Sequence, residues 1–172
     1  RNVWCPASVV IPGVYAKNDS IAAPWFAPAG LTRGGITNVV RVEKKLSKAV
    51  RDTLYSNNVN PIATFPGQGI AVFGQKTLQN AKSALDRVNV RRMLLDVKDT
   101  INGFSRSILF EQNTEATRDR FVRLAEPYLS SLVQRQGLYA FQVKMDGQNN
   151  TPDLRDKFVV GASDSTGDST YP

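Results

Sequence analysis

Histidine is missing altogether from the 172 residues. That removes Ser-His-Asp and Cys-His catalytic arrangements, imidazole metal ligands and the commonest general base. There is one cysteine, Cys5, so neither an intrachain disulfide nor a thiolate zinc cluster can form within the chain, and a reducing compartment is the default expectation. Aromatic residues make up only 9%. No apolar run approaches the roughly 20 residues of a membrane span, and charged residues supply 22%, so no membrane insertion is expected. Acidic residues are also short, 15 against 22 Lys and Arg, and the resulting +7 favours an acidic partner. No initiator Met or signal peptide stands at the start, Arg1-Asn2-Val3-Trp4, and the chain reads as a piece of something longer.

What is there is enough for one compact body with a sizeable core, the hydrophobic share being 41%. In residues 8–17, Val9, Val10 and Ile11 suggest a strand, while Ser8 as a cap and Pro12 near the first turn suggest a helix. Pro24, Pro28, Gly30, Gly34 and Gly35 break regularity around Trp25 and Phe26, predicting a loop pinned by two aromatic structural anchors. A short strand is expected at 36–42. After Ser47, the residues Ala49, Val50, Thr53, Leu54 and Asn57 form an apolar stripe, with Lys44, Lys45, Lys48 and Arg51 opposite, on a helix of about three turns. Strands at 61–65 and 70–73 flank Pro66-Gly67, which suits a type II turn.

Val90, Met93, Leu94, Val97, Ile101 and Phe104 predict a long helix from near Asn89 towards Phe110, weakest at Gly103. A second helix carries Phe121, Leu124, Ala125, Tyr128, Leu132 and Val133, is kinked at Pro127 and ends with Gly137 as its C′ residue. Alternation of Tyr139, Phe141, Val143 and Met145 predicts a strand at 138–145, closed by Asp146-Gly147. Residues 161–172, rich in Ser, Thr, Gly and Asp, read as a polar flexible tail or linker.

None of the chemical constellations survives its simpler reading. The stretch from Gly69 to Gly74, then Gln75-Lys76-Thr77, misses a phosphate loop because Gln75 separates the glycine from the lysine. Asp96, Asp99 and Glu111 read as solvated ion-pairing groups rather than an acid-base pair. No metal, cofactor or catalytic residue is predicted. The basic clusters lack the interleaved aromatics of a base-stacking surface, which leaves a basic nucleic-acid-binding module as the alternative and makes a nucleic-acid partner the weaker reading.

The wording of the chain adds more. Val3-Trp4-Cys5-Pro6-Ala7-Ser8, Gly13-Val14-Tyr15-Ala16-Lys17-Asn18-Asp19, and Ala23-Pro24-Trp25-Phe26-Ala27-Pro28-Ala29-Gly30 occur in order. Asn60-Pro61-Ile62, Gly67-Gln68-Gly69-Ile70, Phe73-Gly74-Gln75-Lys76-Thr77 and Asp86-Arg87-Val88-Asn89-Val90-Arg91-Arg92 come next. With Phe110-Glu111, Thr117-Arg118 and Asn149-Asn150-Thr151-Pro152, the whole resembles the C-terminal region of contractile-tail bacteriophage tail sheath proteins.

The resemblance implies an α+β fold, an α/β sandwich in which helices flank a small mixed sheet in a single domain over residues 1–160, and it favours a helix at 8–17. It implies a structural, non-enzymatic subunit in hexameric rings stacked around a tail tube protein, contracting to drive the tube through a host envelope. Its partners would be other sheath subunits, the tube, and baseplate and tail terminator proteins. Its place would be the virion, after assembly in the bacterial cytoplasm. After Phe158-Val159-Val160 the chain departs from the family's further strands. The basic residues offered as tube or subunit contacts are Lys44, Lys45 and Lys48, Arg91 and Arg92, and, as the preferred ridge, Arg118, Arg120 and Arg123.

Overall fold

The computed structural model describes residues 2–145. The expected tail at 161–172, the end of the strand at Asp146-Gly147 and the motif at 149–152 lie outside them. The elements are α1 (Ala7–Ile21), α2 (Gly30–Arg33), β1 (Gly35–Ile36), α3 (Lys48–Ser56), β2 (Ile62–Phe65), β3 (Gly69–Val72), α4 (Val88–Arg106) and α5 (Glu115–Gln134). The chain divides into two compact units, Arg1–Asp96 and Val97–Pro172. The division falls within α4.

In the first unit a three-stranded sheet runs in the order β1-β3-β2. The fold class is α+β as expected, but the sheet expected to be mixed is antiparallel in both pairings. For β2 and β3 the tight turn between Phe65 and Gly69 explains this, because a parallel neighbour would require a crossover of a dozen or more residues. The β2–β3 hairpin forms around the predicted turn: Gln68 N–H donates to Phe65 O at 3.1 Å, and Gly67 takes φ 74° behind Pro66.

Residues 8–17 fall inside α1, so the helix prevails over β propensity. Burial decides it: Val10 and Val14 pack with Ile36, Ile70 and Val72 in one core, four residues apart on one face. Ser8 is not the cap. Pro6 holds that position without a side-chain bond, and Pro12 lies within the helix. Gly34 is required by crowding, since a Cβ there would lie 2.7 Å from both Gly30 O and Val72 O. Its own carbonyl accepts from Val72 N–H at 2.9 Å.

The strand expected at 36–42 shrinks to Gly35–Ile36. Val39 and Val42 still pack on the core, so their apolar character is spent on burial without a ladder.

In the second unit the apolar face of α4 continues through Val97 and Ile101, 3% and 2% exposed, and α5 buries Phe121, Ala125, Leu129 and Leu132. Leu124, expected inside, is 41% exposed, and Leu129, absent from the predicted stripe, is 1% exposed. Phe104 and Tyr128 meet edge to face at 6.0 Å between centroids. α4 ends at Arg106 and not near Phe110, giving way to a turn over 107–110. α5 is capped by Thr114, whose side chain accepts from Thr117 N–H, and runs through Pro127.

Its end is a Schellman cap in which Gly137 N–H donates to Leu132 O and Gln136 N–H to Val133 O. The left-handed C′ residue is therefore Gln136, φ 62°, and not Gly137. α3 closes the same way, with Val59 N–H on Leu54 O and Asn58 at φ 61°. The stretch 138–145 forms no strand among the described residues, although Phe141, Val143 and Met145 keep an alternating half-burial.

Candidate assembly surfaces

Trp25 and Phe26 hold different stations in the corner after α1. Trp25 is 7% exposed, and its carbonyl accepts from Asn89 Nδ2 at 3.2 Å. Phe26 is half-buried, with the Arg33 guanidinium 5.3 Å from its ring centroid. Asn18, completely buried, closes the corner by donating from Nδ2 to Ala23 O at 3.1 Å and Phe26 O at 3.3 Å. The two donated bonds, with Phe26 N–H on Ala23 O at 3.0 Å, fix the corner, while Asn18 Oδ1 is buried without a hydrogen-bond partner.

The stretches that carry the family resemblance are physically joined. Asn60 pairs with the Lys76 main chain, Nδ2 on Lys76 O and Oδ1 under Lys76 N–H, both at 2.8 Å, as a neighbouring strand would. A Cβ at Gly74 would strike Asn60 Oδ1 at 2.7 Å, so a glycine must stand there. Residues 75–77 pair with 86–88 through Thr77 N–H on Asp86 O and Val88 N–H on Gln75 O, each 2.9 Å. The lysine of the failed phosphate loop is committed elsewhere: Lys76 Nζ donates to Tyr55 O at 2.7 Å and lies 4.3 Å from that ring's centroid.

The basic residues separate into used and exposed. Arg92 binds the Asp19 carboxylate and stacks over Tyr15 at 4.9 Å, so it ties α4 to α1 and is not offered outward. Arg91 is exposed. Arg51, assigned to the solvent side of its helix, turns inward over Phe65 and Phe73 at 5.0 and 5.7 Å, while Ala49, Val50 and Thr53 of the expected core stripe are exposed. The cation covers the two tilted rings, whose centroids lie 5.0 Å apart, which outweighs the weak stripe. Lys44 and Lys45 precede α3 instead of riding on it, and Lys48 pairs with Asp52 one turn on at 3.2 Å.

On α5 the three arginines do not form one ridge. At about 100° per residue, Arg120 and Arg123 lie roughly 60° apart, and Arg118 is about 140–160° away from both. Arg118 Nη1 donates to Asn113 Oδ1 at 3.2 Å. Arg120 and Arg123 line an open cleft of about 670 Å³ with Ser107, Ala116, Asp119 and Leu124. A second groove, about 680 Å³, runs between the N-terminal stretch and residues 38–46, over Val10, Ile36 and Ile62. Among the described residues no three His, Cys, Asp or Glu side chains gather as a metal site. No described helix is long and apolar enough to cross a membrane.

Residues 80–165 match the family model described as the phage tail sheath C-terminal domain. This chain belongs to the phage tail sheath C-terminal domain family.

The tail sheath protein of Vibrio phage KVP40 is 39% identical over 162 residues, 93% of this chain and 24% of that protein. The tail sheath protein of Enterobacteria phage T4 is 36% identical over 161 residues, again 24% of its length. The chain thus spans about a quarter of the sheath proteins it matches.

Solved sheath structures agree. The sheath complex of the extracellular contractile injection system PVC, in its contracted state, matches 86% of this chain and 40% of its own with TM-score 0.73 at 27% identity. The contracted helical sheath of the anti-feeding prophage matches 76% of this chain and 36% of its own with TM-score 0.66 at 28% identity. The anti-feeding prophage baseplate structure contains a chain that matches with TM-score 0.67 at 27% identity, over 76% of this chain and 35% of its own. The feature that sequence reasoning missed is the turn at 107–110, which begins at Ser107 of the arginine cleft and exposes Leu109 and Phe110.

Proposed function

We propose that this chain works as part of a contractile tail sheath subunit, packed in hexameric rings that stack helically around a tail tube and shorten to drive the tube through a host envelope. The observation that carries the reading is 39% identity to a tail sheath protein along 93% of the chain. The role is mechanical and not enzymatic. Its partners are neighbouring sheath subunits, the tube protein, and baseplate and terminator proteins, and its place is the virion after assembly in the bacterial cytoplasm.

The physics of the role asks for rigid bodies joined by contacts that exchange between two packings. Rigidity is supported by the Asn18 and Asn60 cross-links and by Arg51, Arg87 and Arg92, each stacked on rings of its own chain. Cations used internally are not available to a nucleic-acid backbone, so the nucleic-acid reading loses ground. The outward cations, chiefly Arg120 and Arg123 with Lys44, Lys45 and Arg91, provide screened contacts that set register and release at little cost in exposed apolar area. Arg120 and Arg123 face the tube in this proposal.

Reversing Arg120 and Arg123 to Glu in the full-length protein should permit folding and contracted-type polymers but block extended assembly on the tube. Extended tails of normal yield would rule out this cleft as the tube contact.

A further inference from the structure

We infer that the turn at 107–111 is a docking knob, in which Leu109 and Phe110 enter an apolar pocket on another protein while Arg120 and Arg123 meet carboxylates on the pocket's rim. The inference deepens the sheath reading and rests on it for the assembly in which the contact forms.

Phe110 is 105% exposed and Leu109 53%, whereas Ile108 beside them is 6% exposed. The turn closes with Glu111 N–H on Ile108 O at 3.2 Å, which puts Phe110 at the third position, with φ 70°. That position calls for Gly or Asn, because a side chain's Cβ crowds the backbone at positive φ. Elsewhere the chain meets the same demand with Gly30, Gly67, Gly69 and Asn58, and with Gln136 at a helix cap. Phe110 has neither burial nor a helix cap to offset its conformation. Strain of this kind persists where the surroundings impose it, and it collects at binding sites.

The surroundings do impose it. Ile108 is buried, Ser107 N–H donates to Phe104 O and Ile108 N–H to Ser105 O, each at 3.1 Å, and Thr114 caps the next helix. Arg120 Nη2 reaches Ser107 O at 3.5 Å, which links the knob to the cleft, and Ser107 lines that cleft with Arg120 and Arg123. An exposed aromatic on a turn tied through Ser107 to a pair of arginines has the composition of an interface hot spot.

The partner's chemistry follows from charge and shape. The cleft sets two guanidinium groups against the single carboxylate of Asp119. The same face of a second copy would set this arginine pair against itself. A nucleic-acid strand offers phosphates and flat bases but no pocket for Leu109. An acidic protein surface with an apolar hollow answers both features.

A photo-reactive phenylalanine analogue at position 110 of the full-length protein, irradiated in assembled particles, tests this directly. The expected cross-link joins a segment of a different protein rich in Asp and Glu. Cross-linking to another sheath copy, to nucleic acid, or no more than at the equally exposed Tyr139 would overturn the inference. In parallel, Phe110→Gly should keep or slightly raise the thermal midpoint by relieving strain, and should lower the yield of extended particles at least about tenfold, as loss of one hot spot implies. Normal yield overturns the knob and leaves the sheath reading intact. If the unaltered protein forms no cylinders at all, the sheath reading fails and this inference with it.

Discussion

Truncating Trp25 probes the corner that turns the chain from α1 into the sheet. The indole is 7% exposed and belongs to a corner that also includes the fully buried side chains of Asn18 and Pro28. Trp25→Ala therefore empties a site that cannot collapse easily, and the expected cost is about 3–5 kcal/mol. For a chain of this size each kcal/mol lowers the melting midpoint by about 2–4 °C, so a fall of roughly 6–20 °C is expected.

The chain carries its own control, since its other tryptophan, Trp4, is 61% exposed. Trp4→Ala should change stability by no more than about 0.5 kcal/mol. Urea denaturation followed by circular dichroism reads both variants without depending on either fluorophore. Coincident midpoints and slopes for Trp25→Ala and the parent would refute the anchor argument.

Gly34→Ala should cost at least about 1–3 kcal/mol through overpacking against Gly30 O and Val72 O, read as a lowered urea midpoint; an unchanged midpoint would contradict the crowding. Asn60→Ala strips two bonds from the Lys76 main chain and should cost about 1–3 kcal/mol, with faster amide exchange at Lys76; unaltered exchange would refute the cross-link. Lys48→Ala breaks an exposed pair on α3 and should change stability by no more than about 0.5 kcal/mol by the same denaturation; a larger loss would show a tertiary role.

Local chemistry was legible in the sequence, and competition between burial and pairing was not. Pro66-Gly67 announced the hairpin because a type II turn needs those residue types, whatever surrounds it. The long stripes of α4 and α5 were readable for the same reason, as four-residue repetition has one economical solution. Residues 36–42 and 138–145 have strand composition, yet a strand needs an unpaired edge beside it, and that is a property of the fold. The sidedness of α3 failed because Arg51 covers Phe65 and Phe73, a contact between residues more than ten positions apart.

The arginine cleft was half legible. Spacing of three keeps Arg120 with Arg123, while a step of two sends Arg118 to the far side, a phase argument available from numbering alone. Phe110 gave no such signal. Its exposure and positive φ exist only once α4 has ended at Arg106.

The most direct test of the sheath assignment is electron microscopy of the purified full-length protein, alone and in particles. Striated hollow cylinders, in extended and contracted lengths, are the expected result. Monodisperse globular particles with no tubular assembly under any condition that preserves the fold would contradict it.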